Sequence, residues 1–401
     1  MVVFINRDIL GTSSHLGWDG ENFIKQRTLA DDDWVYDNAT AEKSLRPLCD
    51  LKAVKINFPG EIHKKIWSQI PGVAQDEIKW SLSLTERNFK TTVKNTLEQL
   101  WKLLQSVEGT YYINDFYVIR KLLLSLSAAK IDATLYHTIM RSQNVNKNSL
   151  AGFKPNSQGY AKVPVYNQTK TVSGRLVVES GPNILTLKKE YRSVLSSRYA
   201  GGAIVQVDFV SLEPRVLLTF LEKKSQRDVY SQIAKDVFEG KVDRDSVKIL
   251  TLGVVYGLSS NSLADKLNVD KITAKRLNKK IRNYFRLDDL TQLLISSAES
   301  GKIKNMYGRE VNVSGDAGYV LVNRFVQSSA ADAALIAFSL FAENLSKITN
   351  KILPIFLIHD AIILDVPAEH LADIKVMCAE GIDVPILNEK FPVQIDIIRQ
   401  N

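Results

Sequence analysis

Cysteine is scarce: only Cys49 and Cys378 occur in 401 residues, and they form no CxxC pair. This excludes a disulfide-stapled scaffold and a cysteine-based zinc centre, and it fits a reducing compartment. Long hydrophobic runs are missing too. The opening MVVFINRDILGTSS has an apolar patch shorter than a signal h-region and no basic n-region, and no later run reaches the length of a membrane span. The expectation is a soluble, intracellular protein with no membrane partner. There is no internal repeat and no low-complexity tract, which excludes a repeat array.

What is present is enough chain to bury a large core. At 401 residues it exceeds the usual single domain, so two or three subdomains around a common cleft are expected. The formal net charge of +8 favours a polyanionic partner. Residues 223–309 carry 18 basic and 10 acidic side chains, a net +8 that equals the charge of the whole chain. That segment reads either as a nucleic-acid surface or as a solvated face of charged helices.

Residues 1–60 have weak periodicity and no assignable architecture. From 61 to 144 the pattern turns helical: Leu97, Leu100, Trp101 and Leu104 recur at i, i+3, i+4, i+7, and Val118, Leu122, Leu126 and Ala129 follow similarly. Residues 144–160, rich in Asn, Ser and Gly, read as a loop or boundary. The run from Ala203 to Phe209 predicts a strand, and from Ser211 helical spacing resumes. Ser211 is placed to cap that helix and Pro214 falls in its first turn. Several helices are expected between Val229 and Ser300, with Gly240, Gly257 and Gly301 as punctuation, and a long apolar helix from Phe325 to Leu345. Two β-branched runs flank His359, Asp360 and Ala361 and predict a hairpin with Asp360 near its tip.

Asp208 and Asp360 each sit at the end of an apolar run, where a carboxylate is an awkward neighbour. Joining nucleotides needs an in-line displacement at phosphorus, and carboxylates on rigid strand ends suit the divalent cations that assist it. Asp365 reads as a neighbour of that pair or as a solvent-facing residue. Between the two aspartates Arg244, Lys248, Leu252 and Tyr256 recur every four residues, one helix lane drifting about 40° per step. Two cations followed by an apolar and an aromatic group suit a phosphate tail, then a sugar and a base. An amphipathic helix with a solvated basic end has the same pattern.

With these residues in order, the sequence resembles family A, polymerase I-like DNA polymerases. DFVSLEPR from Asp208 to Arg215 is similar to the family's motif A; Arg244, Lys248, Tyr256 and Gly257 are similar to motif B; His359-Asp360 is similar to the HD of motif C. Ser173-Gly174-Arg175-Leu176 with Pro182-Asn183, the Tyr307-Gly308-Arg309 turn, and Asn323 with Gln327 extend the likeness over roughly residues 170–370. The resemblance implies an α+β right-hand fold: a thumb at 61–150, an antiparallel palm sheet at 151–225 and 319–401, and helical fingers at 226–318.

It also implies roles. Asp208 and Asp360 would coordinate two Mg2+ ions, with Mn2+ as a substitute. Arg244 and Lys248 would grip the triphosphate of a dNTP, with Lys248 also donating a proton to pyrophosphate. Leu252, Tyr256, Glu213 and His359 would complete the nucleotide site, Glu213 excluding a 2′-hydroxyl. Arg175, Asn323, Gln327, Arg309, Gly257 and His359 would touch primer-template DNA. A monomer is expected. Members often carry a proofreading exonuclease whose metal site opens with a DxE triplet; no such triplet is expected near the start and few residues precede the motifs, so neither that domain nor a 5′-nuclease domain is expected. Three positions depart from the pattern: Leu252 stands for Phe or Tyr, Ala361 for Glu, and Ser328-Ser329 for Gly-Thr. A catalytically inactive DNA-binding paralogue and an RNA polymerase stay open as alternatives.

Overall fold

The apolar run AIVQVDF becomes the strand Ala203–Phe209, an interior member of a four-stranded antiparallel sheet. It pairs on one side with Ala361–Val366, which continues to Leu353–Ile358, and on the other with Val393–Gln400. Every residue of Ala361–Val366 is buried, as an interior strand covered on both faces requires. The computed structural model describes residues 1–56, 69, 78–107, 109–142 and 147–401, which fall into two units, Met1–Leu124 and Ser125–Asn401.

In the second unit the helix Gly318–Ile348 is the longest apolar element, and Phe338 packs on Phe209 of the sheet with ring centroids 4.9 Å apart. Among the described residues it is the one helix long and apolar enough to cross a membrane, contrary to the expectation that no run reaches that length. Its most apolar window is 83% buried inside the protein, the signature of a core helix. The helices Val229–Phe238, Arg244–Val255, Ser260–Leu267 and Lys271–Tyr284 each start on a side chain that accepts from the first turn: Asp228, Asp243, Ser259 and Asp270. With Leu287–Ser297 they close around one hydrophobic cluster containing Ile233, Val247, Leu250, Leu263, Ile281 and Leu290.

The first unit has a sheet where the sequence was unreadable: Phe23–Gln26, His15–Trp18 and Val3–Ile5 pair antiparallel, and Trp34–Tyr36 adds parallel to Val3–Ile5. The helix Glu86–Val107 buries Leu97, Leu100 and Leu104 as their spacing predicts. The next helix, Tyr111–Leu124, stops short of Leu126 and Ala129, which therefore do not extend its face. Ala129 instead accepts from the Ala161 amide at 2.9 Å. The helical reading of residues 61–68, 70–77, 108 and 143–144, and the loop reading of 144–146, lie outside the described residues. Lys147–Ala151 is a short helix within the segment read as loop.

A DxE triplet does occur near the start, Asp19-Gly20-Glu21, between two strands. The Asp19 carboxylate accepts from the amides of Glu21 and Asn22 at 2.8 and 2.6 Å, so it closes a turn.

Candidate active site

The strand pairing brings the two distant aspartates together. Asp208 lies opposite Ala361, and the Phe209 amide donates to the Asp360 carbonyl at 3.0 Å. Because Ile358 pairs with Ala361, His359 and Asp360 form a two-residue hairpin loop, with His359 at φ +46°. Ser211, three residues past Asp208, is also left-handed at φ +57°, and its hydroxyl makes no capping bond, which corrects the capping expectation. Non-glycine residues held at positive φ on both sides of the aspartate pair mark backbone the fold has over-determined.

Burial raises both carboxyls. Asp208 is pushed up to about 6 by burial and by the charge of Asp360, and Asp360 is raised by burial. No protein cation pairs with either among the described residues, and no group of three or more His, Cys, Asp or Glu gathers there as a metal site. Two half-buried oxygen donors that form no ion pair among the described residues suit a magnesium ion, which takes one or two carboxylates and fills its shell with waters and phosphates. Burial of the His359 ring and the Arg175 charge lower its pKa.

Beside the pair a cavity of about 190 Å³ is lined by Arg175, Glu213, Tyr256, Gln327, His359 and Asp360, among others. Three of these already bind one another: Arg175 donates to Glu213 Oε1 at 2.7 Å, and the Tyr256 hydroxyl donates to the same oxygen at 2.5 Å. Burial and the Glu213 charge push the Tyr256 hydroxyl pKa up, keeping it a donor. Gly257, at φ +75°, follows the helix end, where a Cβ would meet the Tyr319 ring at 2.5 Å.

The basic lane is real and faces outward. Arg244–Val255 buries Val247, Leu250, Thr251 and Val254 and leaves Arg244 and Lys248 exposed, with Leu252 and Tyr256 half-buried. Arg244 is held at 2.6 Å by Asp228 and at 3.2 Å by Asp245, whereas Lys248 has no ion pair among the described residues. Asn323 and Gln327 lie one turn apart on Gly318–Ile348, and Asn323 Oδ1 is buried without a partner.

Arg309 does not fit its expected contact with DNA. Its guanidinium is buried, held by Asp332 at 3.0 to 3.2 Å, and reaches the Gln168 carbonyl at 3.4 Å. Gly174, at φ +76°, packs so closely that a Cβ would lie 2.6 Å from that guanidinium. Asn305 joins the network, donating to Ser328 Oγ and Asp332 and accepting from the Arg309 amide. Ser329 accepts from the Met306 amide. The serines at the third departure thus tie the 305–309 turn to the long helix. Asp365 is not solvent-facing: it is buried and bound by Ser197 and Arg198, at the far end of the strand from Asp360.

Gln206 was not picked out from the sequence. Its amide donates to Asp208 Oδ2 at 3.2 Å and accepts from Arg192 at 3.0 Å, so Arg192 sets the orientation of the amide that holds the Asp208 carboxylate. The available signal was its place two residues before Asp208, on the same strand face.

Residues 62–398 match the family model for DNA polymerase family A. The chain belongs to DNA polymerase family A. It is 28% identical over 225 residues to DNA polymerase I of Lactococcus lactis subsp. cremoris, covering 51% of this chain and 25% of that protein. It is 22% identical to the DNA polymerase of Bacillus phage SP01 (53% of this chain, 27% of that one), and 23% identical to Drosophila melanogaster DNA polymerase theta (59% and 14%). The chain spans about a quarter of the length of the first polymerase I relatives it matches. The solved POL domain of Pol1 from M. smegmatis, in complex with DNA primer-template and dNTP, matches with a TM-score of 0.65 at 13% identity, covering 98% of this chain and 94% of that one. The family A fold, α+β with an antiparallel sheet carrying the aspartates, is therefore that of a polymerase domain.

Proposed function

We propose that the chain carries out template-directed DNA synthesis, adding dNTPs to a primer 3′-hydroxyl and releasing pyrophosphate. The observation that carries this is the adjacency of Asp208 and Asp360 at one sheet end, beside a cavity where Arg175, Glu213 and Tyr256 are already joined. The palm would comprise 151–225 and 319–401, the fingers 226–318 and the thumb 61–150. Asp208 and Asp360 would hold two Mg2+ ions, which when bound stabilise the attacking and leaving oxygens. Lys248 meets the triphosphate and supplies a proton to pyrophosphate, joined by Arg244 once it leaves Asp228. Asn323, Gln327, Gly257 and His359 contact the primer terminus and the nascent pair. No proofreading is proposed for the described residues, since the one DxE triplet near the start closes a turn.

The deciding measurement is extension of a primed template with Mg2+, with dNTPs or NTPs. Extension with dNTPs is expected; DNA binding without extension would leave an inactive paralogue, and NTP use without a primer would mean RNA synthesis.

Glu213 is expected to enforce deoxyribose selection. The Arg175 and Tyr256 bonds hold its carboxylate in the cavity where the incoming sugar would lie. Glu213→Ala should raise NTP incorporation relative to dNTP on the order of 10- to 100-fold, or about 1.4 to 2.8 kcal/mol. An unaltered ratio would remove Glu213 from sugar selection. Leu252 offers no donor where the family has an aromatic side chain. Leu252→Tyr adds a hydroxyl worth about 0.5–1.5 kcal/mol as a hydrogen bond, so dideoxynucleotide acceptance should shift by roughly two- to tenfold. Identical chain-termination kinetics in the two proteins would refute this.

A further inference from the structure

Besides Asp208, one polar side chain interrupts the apolar strand Ala203–Phe209. Gln206 is 5% exposed with Ile204, Val205 and Val207 buried around it, where an aliphatic side chain would leave no polar group to satisfy. Both ends of its amide are engaged. Oε1 accepts from Arg192 Nη1 at 3.0 Å, and Nε2 donates to Asp208 Oδ2 at 3.2 Å. A guanidinium can only donate, so Arg192 obliges Oε1 to face it and turns the amide nitrogen toward Asp208.

The neighbouring strands leave this contact to Gln206. Across the sheet Asp208 lies opposite Ala361 on one side and Gln394 on the other. Ala361 brings only a methyl group, and the Gln394 amide donates to Asp396 Oδ1 at 2.8 Å. Asp396, opposite Gln206, also receives Lys189 at 3.4 Å, so it is engaged and does not compete for the Gln206 amide. Arg192 Nε is buried without a partner, and the guanidinium is anchored through Nη1 on Gln206.

We propose that Gln206 is a positioning residue for the metal site, with Arg192 setting its orientation. The proposal rests on the assignment of Asp208 and Asp360 to divalent cations made above. With Oδ2 held by Gln206, rotation of the Asp208 carboxylate is restrained before any ion arrives. Without that bond the carboxylate is free to turn, and binding an ion must order it. Removing such a partner from a metal-binding side chain typically weakens metal affinity about 10- to 100-fold.

The test uses the full chain without DNA and follows Mn2+ binding by electron paramagnetic resonance, with Mn2+ still bound by Asp208→Ala taken as background. Gln206→Met, similar in size and without a hydrogen-bonding amide, should weaken the Asp208-dependent affinity about 10- to 100-fold. Arg192→Met frees the amide to flip and should weaken it about two- to tenfold. The double variant should match Gln206→Met instead of multiplying the two losses, because Arg192 acts through the amide. Arg192→Lys keeps a donor for Oε1 and should retain most of the affinity. A purely structural role would lower the melting temperature of these variants and leave the Mn2+ affinity of the folded chain unchanged. Unchanged affinity in Gln206→Met, or a wild type with no Asp208-dependent Mn2+ site, overturns the proposal, and multiplied losses remove Arg192 from it. A chain that loses Mn2+ affinity in the expected order yet extends no primer sinks the polymerase reading and leaves the positioning role standing.

Discussion

Asp208→Ala or Asp360→Ala is expected to abolish primer extension while leaving primer-template binding within a few-fold of wild type. Each removes one of two oxygen donors that adjoin at the sheet end and form no ion pair among the described residues. The charge stabilisation lost is several kcal/mol, and each 1.36 kcal/mol is a factor of ten in rate, so activity falls at least about a thousandfold. Affinity for DNA would rest on phosphate contacts elsewhere and should survive. Thermal melting provides the check that the loss is chemical. Asp208 is raised from 3.8 to about 6 in the folded chain. A raised carboxyl favours the protonated folded state, so its contribution is fully present below pH 3.8 and is lost as pH rises through 6. Metal-free Asp208→Ala should therefore melt above wild type at pH 7.5, by on the order of 1 kcal/mol, with the gap closing toward pH 4. Mg2+ should stabilise wild type and not the variant. Unchanged extension in either variant would sink the metal assignment.

The pair was legible because its surroundings obey local rules. Ala203–Phe209 and the Leu353–Ile358/Ala361–Val366 hairpin are apolar runs of six or seven residues whose ends are visible in the sequence. The N-terminal sheet was not legible, because its strands are three or four residues long and Trp34–Tyr36 joins Val3–Ile5 in parallel from a distance. Too few alternations fit in such strands for a period to appear. Gln206 was passed over as one polar residue in an apolar strand, although its offset from Asp208 places both on one face. Ser211 has the residue type of a cap, but only the three-dimensional strand-to-helix turn shows its backbone to be left-handed.

Arg309 had motif evidence for DNA contact and no local sign of burial, because Asp332 and Gly174 reach it only in the fold. Asp332→Ala should cost about 3–5 kcal/mol, since it strands a guanidinium that is 2% exposed. Domains of ordinary stability hold about 5–15 kcal/mol, so this is a large share, and the melting temperature should drop on the order of 10 °C. Gly174 leaves the guanidinium little room to withdraw, because it packs against it where even a methyl group would clash. Arg309→Met/Asp332→Leu removes both charges and should recover much of the loss, as replacing a buried pair with apolar side chains is often close to neutral. Asn305 would then lose one of its two side-chain acceptors, so recovery should stop short of wild type. Single and double variants followed by urea and thermal unfolding separate the pair's coupling from the individual losses. A melting temperature for Asp332→Ala within 1 °C of wild type would contradict the structural role, taking about 2–4 °C per kcal/mol as the scale. Weaker primer-template binding by Arg309→Met at unchanged stability would return Arg309 to the DNA contact that its motif implied.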